Sequence, residues 1–177
     1  DMAVLVEKHL ASHGVKVVTG ATVHSLDGEG SVRSVTTDQG RFAADMAILA
    51  SGIRPNVDLA LQAGLTLGGT GAILVDRGML TSDPDIYAAG DCVESTNLVT
   101  GRPCYMPLGT TANKQARVAA VNLCGGADVF PGILETCICK TFDYTTGRTG
   151  LGEAAARAAG FEPVCVLVPG PDREHYM

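Results

Sequence analysis

A run of small residues that ends in a carboxylate is the part of this sequence best suited to chemistry. Residues 81–91 read T-S-D-P-D-I-Y-A-A-G-D, so that Ala89 and Gly90 precede Asp91. Small side chains let a ligand approach the backbone closely, and ligands of open α/β sheets bind beyond the carboxyl ends of strands. A carboxylate there can accept hydrogen bonds from sugar-type hydroxyls. Ordinary turns and helix caps also use Gly-Asp pairs, so this segment alone leaves both interpretations open.

A second candidate is the segment M-P-L-G-T-T-A at residues 106–112, which leads into an Ala-rich stretch. That stretch predicts a helix over 110–123, closed by two glycines. The first turn of a helix carries unpaired N–H groups and the positive end of the helix dipole. It therefore stabilises negative charge on a ligand. A plain surface helix is the alternative interpretation.

The thiols and imidazoles give weaker signals. Cys137 and Cys139 share one face of a predicted strand about 6.6 Å apart, near the upper limit for a disulfide. We expect both to be buried structural thiols, and Cys92 to be a packed side chain. Histidines occur at positions 9, 13, 24 and 175. Their spacing matches no metal-ligand pattern, so we expect no metal site.

The hydrophobic pattern predicts alternating helices and strands. Strands are expected over 15–19, 22–26, 31–36 and 41–44, the last three as a β-meander. A strand is also expected over 45–50, because residues 46–50 are continuously apolar, as in a strand buried on both faces of a parallel sheet. Further strands are predicted at 72–76, 86–89, 136–141 and 164–168, and helices at 2–10, 57–63, 110–123 and 153–159. The sequence therefore predicts an α/β fold.

Composition narrows the classes of function. The 177 residues are 46% hydrophobic and 18% charged, which is typical of a globular protein. A net charge of −6 leaves no basic surface for a nucleic-acid partner. No apolar run reaches about 18 residues, so we expect no membrane span. We expect a cytoplasmic protein with reduced thiols, and a chain that forms part of a longer protein.

Five sequence blocks occur in an order that resembles a known family. They are A-S-G-I-R-P-N (50–56), G-A-I-L-V-D (71–76), T-S-D-P-D-I-Y-A-A-G-D (81–91), P-L-G-T-T-A-N-K-Q-A-R (107–117) and T-F-D-Y-T-T-G-R-T-G-L (141–151). Together they resemble the FAD-dependent pyridine nucleotide-disulfide oxidoreductases, in the branch of coenzyme A-disulfide reductases and NADH oxidases. Chance agreement across five ordered blocks is improbable.

The resemblance implies parts of two Rossmann-like domains, made of a parallel sheet plus a β-meander, followed by the start of an α+β interface domain. Residues 1–55 would close the NAD(P)H-binding domain, and 56–128 would form the second segment of the FAD-binding domain. Residues 129–177 would begin the interface domain, which implies a homodimer.

The resemblance also assigns site residues. Asp91 would hold the ribityl chain of FAD, with Ala89 and Gly90 allowing its close approach. The residues over the pyrimidine side of the flavin ring would be Leu108, Gly109, Thr110, Thr111 and Ala112. Asn113 would line the side of a thiol or disulfide substrate, and Tyr176 would approach the active site of the partner subunit.

The implied reaction passes a hydride from NAD(P)H to FAD, and electrons onward to a cysteine that reduces coenzyme A disulfide or a persulfide. No G-x-G-x-x-G fingerprint occurs here. The resemblance places the fingerprints and the redox cysteine upstream, so that this chain alone would not turn over. An NADH oxidase or peroxidase stays open as an alternative. A non-catalytic dimerisation or binding module is the alternative from another class.

Overall fold

A computed structural model describes residues 2–170, which form two compact units. Of the described residues, the first unit contains 2–54 and 138–146, and the second contains 55–137 and 147–170. Tyr176, predicted at the active site of a partner subunit, lies outside the described residues.

The described residues contain four helices and seven strands. The helices are α1 (Met2–Ser12), α2 (Asp58–Gln62), α3 (Gly109–Leu123) and α4 (Glu153–Ala158). The strands are β1 (Val23–Asp27), β2 (Ser34–Thr37), β3 (Gly40–Ala43), β4 (Ser95–Thr96), β5 (Pro103–Cys104), β6 (Cys137–Thr141) and β7 (Tyr144–Arg148). None of these helices is both long and apolar enough to cross a membrane.

The β-meander of the first unit forms as predicted. Strands β1, β2 and β3 pair antiparallel in chain order, and Thr37 pairs with Gly40 across a two-residue turn. The Asp27 carboxylate at the end of β1 accepts hydrogen bonds from Ser25 Oγ at 2.8 Å and Thr36 Oγ1 at 2.5 Å. Arg41 lies 3.7 Å from the same carboxylate. These polar contacts tie the three strands together on one face.

The predicted parallel sheet is wrong for the described residues. Residues 15–19, 45–50 and 164–168 are not strands, and Ile48 is 84% exposed where burial was expected. A strand of a parallel sheet needs hydrogen-bonded neighbours on its edges. Among residues 2–170 no strand pairs with 45–50, so the apolar pattern has no sheet to complete.

The second unit holds the buried core, arranged as two clusters. The first contains Met79, Val118, Ala119, Phe130 and Ile133, and the second contains Ala60, Leu65, Ile73 and Val93. The predicted strands 72–76 and 86–89 are present only as isolated bridges, of Ile73 with Leu67 and Val93 and of Leu80 with Tyr87. The predicted helix over 110–123 is confirmed as α3. Its buried residues are Gln115, Val118 and Ala119, the i, i+3, i+4 face of a helix.

The meander predicts a specific acid sensitivity. Hydrogen bonds from Thr36 and Ser25, with the charge of Arg41, lower the pKa of Asp27 from its ordinary value of 3.8. Because the pKa of Asp27 is lower in the folded protein than in the unfolded chain, the charged carboxylate stabilises the fold. This stabilisation is fully present above the unfolded pKa and is lost as the pH falls through the folded pKa. We expect Asp27→Asn to flatten the fall of the thermal unfolding midpoint between about pH 5 and pH 2.

Asp45→Asn, at an exposed carboxylate of the same unit, is the matched control. Parallel acid profiles for the wild type and Asp27→Asn would contradict the assignment.

Candidate functional site

The buried amide of Gln115 joins α3 to the end of the 81–91 segment. Its Oε1 accepts a hydrogen bond from the Gly90 N–H at 2.9 Å, and its Nε2 donates to Ser95 Oγ at 3.0 Å. The residue is only 1% exposed. Both ends of a buried amide must be satisfied, because each lost partner costs about 1 to 3 kcal/mol. Gln115 therefore fixes the position of Gly90 relative to the helix.

Gly90 lies directly against the first turn of α3. A Cβ built on Gly90 would lie 3.6 Å from the Cβ of Ala112, which is ordinary van der Waals contact. The φ angle of Gly90 is +92°, in the region that favours glycine. The structure thus brings together the two segments that the sequence singled out separately.

Asp91 is presented at the surface of the second unit. Its backbone carbonyl accepts a hydrogen bond from the Tyr105 hydroxyl at 2.8 Å, whereas no group among residues 2–170 is hydrogen-bonded to its carboxylate. Burial, and then the neighbouring Asp91 and Cys92, raise the pKa of the Tyr105 phenol. The phenol therefore stays protonated at neutral pH and holds the Asp91 backbone, which leaves the carboxylate free to accept hydrogen bonds from a ligand.

The start of α3 is open. Its N-cap, Leu108, is extended and makes no side-chain cap, and the Ala112 N–H is bonded to the Leu108 carbonyl at 2.9 Å. The N–H groups of Gly109, Thr110 and Thr111 precede that bond and have no partner within the helix. Leu108, Thr110 and Thr111 also line a cavity of about 260 Å³. An anion or a carbonyl oxygen near this turn meets free donors and the positive end of the helix dipole.

Asn113 is exposed in the same first turn, and its Nδ2 donates to the Gly109 carbonyl at 3.0 Å. The side chain therefore lies along the helix surface next to the open N–H groups.

The match to a family model decides the family of the chain. The model of the pyridine nucleotide-disulphide oxidoreductases matches residues 1–119, a stretch that contains Asp91, Gln115 and the start of α3. The chain belongs to this family.

Solved structures agree with that assignment. A NAD-dependent persulfide reductase from A. fulgidus superposes with a TM-score of 0.94 at 47% identity, over 99% of this chain and 33% of that chain. A FAD-dependent pyridine nucleotide-disulphide oxidoreductase from Desulfovibrio vulgaris gives a TM-score of 0.87 at 44% identity, over 92% of this chain and 41% of that chain.

Curated relatives point the same way. An NAD(P)H sulfur oxidoreductase (CoA-dependent) from Pyrococcus abyssi is 38% identical over 172 residues, which are 97% of this chain and 38% of that protein. Other relatives are named NADH oxidases. This member of the oxidoreductase family thus spans well under half the length of the relatives it matches.

Two partly buried cysteines of the second unit, Cys92 and Cys104, are unsuited to thiolate chemistry. Burial raises the pKa of Cys92, and burial followed by the charges of Glu135 and Glu94 raises the pKa of Cys104 to about 11. The expected packing of Cys92 fits this result. The expected burial of the Cys137 and Cys139 pair is wrong for Cys139, which is exposed, whereas Cys137 is partly buried.

The sequence did not predict three features of this chain. Gln115 lies inside the sequence block at 107–117 but was given no role, and no motif marks Tyr105. His9 and His13 are four residues apart, and the structure brings them to Asp143. Residues i and i+4 share one face of a helix, so the expected absence of a metal site did not take this pair into account.

Loss of the Gln115 amide tests the geometry. We expect Gln115→Ala to lower the free energy of unfolding by about 2 to 4 kcal/mol, because it leaves the Gly90 N–H unpaired and opens a cavity. Arg117→Ala, on the exposed face of the same helix, should change it by no more than about 0.5 kcal/mol. Chemical denaturation measures both, and equal values for the two variants would count against the role given to Gln115.

Proposed function

We propose that this chain supplies the flavin-ring end of the FAD site in an NAD(P)H oxidoreductase that reduces a sulfur acceptor of the persulfide or coenzyme A disulfide class. The observation that carries the proposal is the hydrogen bond from the Gly90 N–H to the Gln115 amide. It holds the segment that ends in the exposed Asp91 carboxylate against the uncapped first turn of α3. The names of the similar proteins support it, since they include a persulfide reductase and a CoA-dependent sulfur oxidoreductase.

The residues at the end of the 81–91 segment suit the ribityl chain of FAD. A carboxylate accepts hydrogen bonds from several hydroxyls, and the Asp91 carboxylate is exposed. Ala89 and Gly90 leave room for a close approach. When bound, FAD supplies the two-electron chemistry that links NAD(P)H to the acceptor.

The start of α3 suits the pyrimidine side of the flavin ring. Free N–H groups at the positive end of a helix dipole stabilise nearby negative charge by about 0.3 to 1 kcal/mol. They would donate to ring oxygens and favour the reduced, anionic form. The residues in this role are Leu108, Gly109, Thr110, Thr111 and Ala112. Asn113, one position further along the exposed surface, would contact the thiol or disulfide substrate.

The redox cysteine would lie outside this chain, because the raised pKa values of Cys92 and Cys104 suit packing rather than attack on sulfur. Tyr176 would approach the partner active site in a homodimer. The domain limits 1–55, 56–128 and 129–177, the homodimer and a cytoplasmic location belong to the same proposal.

A spectroscopic titration tests the reaction. We expect the purified full-length protein that contains this chain to be yellow, to bleach anaerobically on addition of NADH or NADPH, and to regain its colour with coenzyme A disulfide or a persulfide. Protein that stays colourless after addition of FAD contradicts the proposal. Recovery with oxygen but with neither sulfur acceptor would favour the NADH oxidase alternative, which the names of several relatives also support.

The role of Asp91 has its own test. We expect Asp91→Ala to weaken FAD binding about tenfold or more, because it removes charge-assisted hydrogen bonds worth about 1.5 to 3 kcal/mol each. Asp85→Ala, at an exposed carboxylate of the preceding turn, should leave flavin content unchanged. The ratio of flavin to protein after gel filtration gives the answer, and an unaltered ratio in Asp91→Ala would refute the role.

A further inference from the structure

His9, His13 and Asp143 form a compact group in the first unit, whereas the residues proposed for flavin belong to the second. The two histidines lie one helical turn apart at the end of α1, and Asp143 lies in the turn between β6 and β7. One ligand atom from each residue lies within 4.8 Å of the others. The chain thus gathers two imidazoles and a carboxylate from positions 130 or more residues apart in sequence.

The spacing of the ligand atoms matches a shared ion. Zinc binds imidazole nitrogen and carboxylate oxygen at about 2.0 to 2.2 Å, so two ligands of one ion are at most about 4.4 Å apart. Asp143 Oδ1 is 2.9 Å from His9 Nε2 and 4.0 Å from His13 Nε2. Both distances to the carboxylate oxygen fit within that limit, and all three ligand atoms lie within 4.8 Å of one another.

The contact between His9 and Asp143 differs from an ordinary hydrogen bond. His9 Nε2 is shielded from solvent and makes no hydrogen bond, although Asp143 Oδ1 is 2.9 Å away. The two atoms are close but not hydrogen-bonded, because the Asp143 oxygen lies off the direction of the His9 ring N–H. A hydrogen bond needs alignment as well as proximity, so this contact is not one. Two atoms placed side by side in this way resemble neighbouring ligands of an ion.

The tautomer of His13 also suits a ligand. Its Nδ1 lies 3.0 Å from the His9 carbonyl oxygen. A carbonyl oxygen only accepts, so this contact is a hydrogen bond only when Nδ1 carries the proton. In the neutral ring that leaves the lone pair on Nε2, the atom that faces Asp143. Metal-binding histidines commonly fix their tautomer through such a bond.

Aromatic side chains hold the two rings in place. The Phe142 ring stacks on His13 with centroids 4.2 Å apart and an interplanar angle of 9°, and the Tyr144 ring lies 5.2 Å from His9. Asp143 stands between these two residues in sequence, and its side chain is 84% exposed. The site is therefore ordered on one side and open to an entering ion and to water ligands on the other.

From this geometry we propose that His9, His13 and Asp143 bind a divalent cation of the zinc class. Imidazole and carboxylate together suit such ions better than magnesium or calcium, which prefer oxygen ligands alone. The ion would link the β6–β7 turn to α1. It would stabilise the first unit because it binds the folded state and not the unfolded one.

Calorimetric titration of the purified, chelator-treated protein with zinc chloride tests the proposal. We expect one ion bound per chain, and an affinity reduced about tenfold or more in each of His9→Gln, His13→Gln and Asp143→Asn. His24→Gln, at an exposed histidine on β1, should leave the affinity unchanged. Cys139→Ser should do the same, which separates imidazole binding from binding to the exposed thiol.

Thermal unfolding shows whether a variant loses zinc binding because it is misfolded. Asp143 is largely exposed, so Asp143→Asn should match the wild-type midpoint without zinc, and zinc should raise the midpoint of the wild type only. Equal zinc affinity in the wild type and the His9→Gln/His13→Gln double variant would overturn the proposal. Loss of binding in Cys139→Ser alone would overturn it too.

Discussion

The candidate flavin site depends on the two hydrogen bonds of the buried Gln115 amide. Val118 and Ala119 on the same helical face pack into the core with Met79 and Phe130, and this packing carries Gln115 below the surface. Once buried, the amide needs both of its partners, so the Gly90 N–H and the Ser95 hydroxyl are held where the helix requires them. A hydrophobic pattern thereby fixes the position of a polar segment 25 residues away.

The electrostatics of the site follow from that placement. The open start of α3 offers donors and partial positive charge, and the exposed Asp91 offers an acceptor and negative charge close by. A ligand that fits both must carry hydroxyl donors on one part and electron-rich oxygens on another. The ribityl chain and the pyrimidine ring of a flavin meet that description, which is why family membership and local geometry lead to the same proposal.

Elements set by local pattern could be predicted from the sequence, whereas elements that depend on distant partners could not. Helix α3 and the meander follow from periodicity and turn residues, and their observed limits differ from the predicted ones by at most three residues. Residues 45–50 have the pattern of a buried parallel strand, but such a strand exists only beside its neighbours. The role of Gln115 depends on a tertiary contact with Gly90. The spacing of His9 and His13 is visible in the sequence, but their tertiary contact with Asp143 is not.

A crystal structure of the protein with bound FAD tests the central claim most directly. We expect an oxygen of the Asp91 carboxylate within about 3 Å of a ribityl hydroxyl, and the first turn of α3 facing the pyrimidine ring. The Gln115 bond to Gly90 should be unchanged from its length of 2.9 Å. A flavin bound elsewhere, with Asp91 still facing solvent, would contradict the claim.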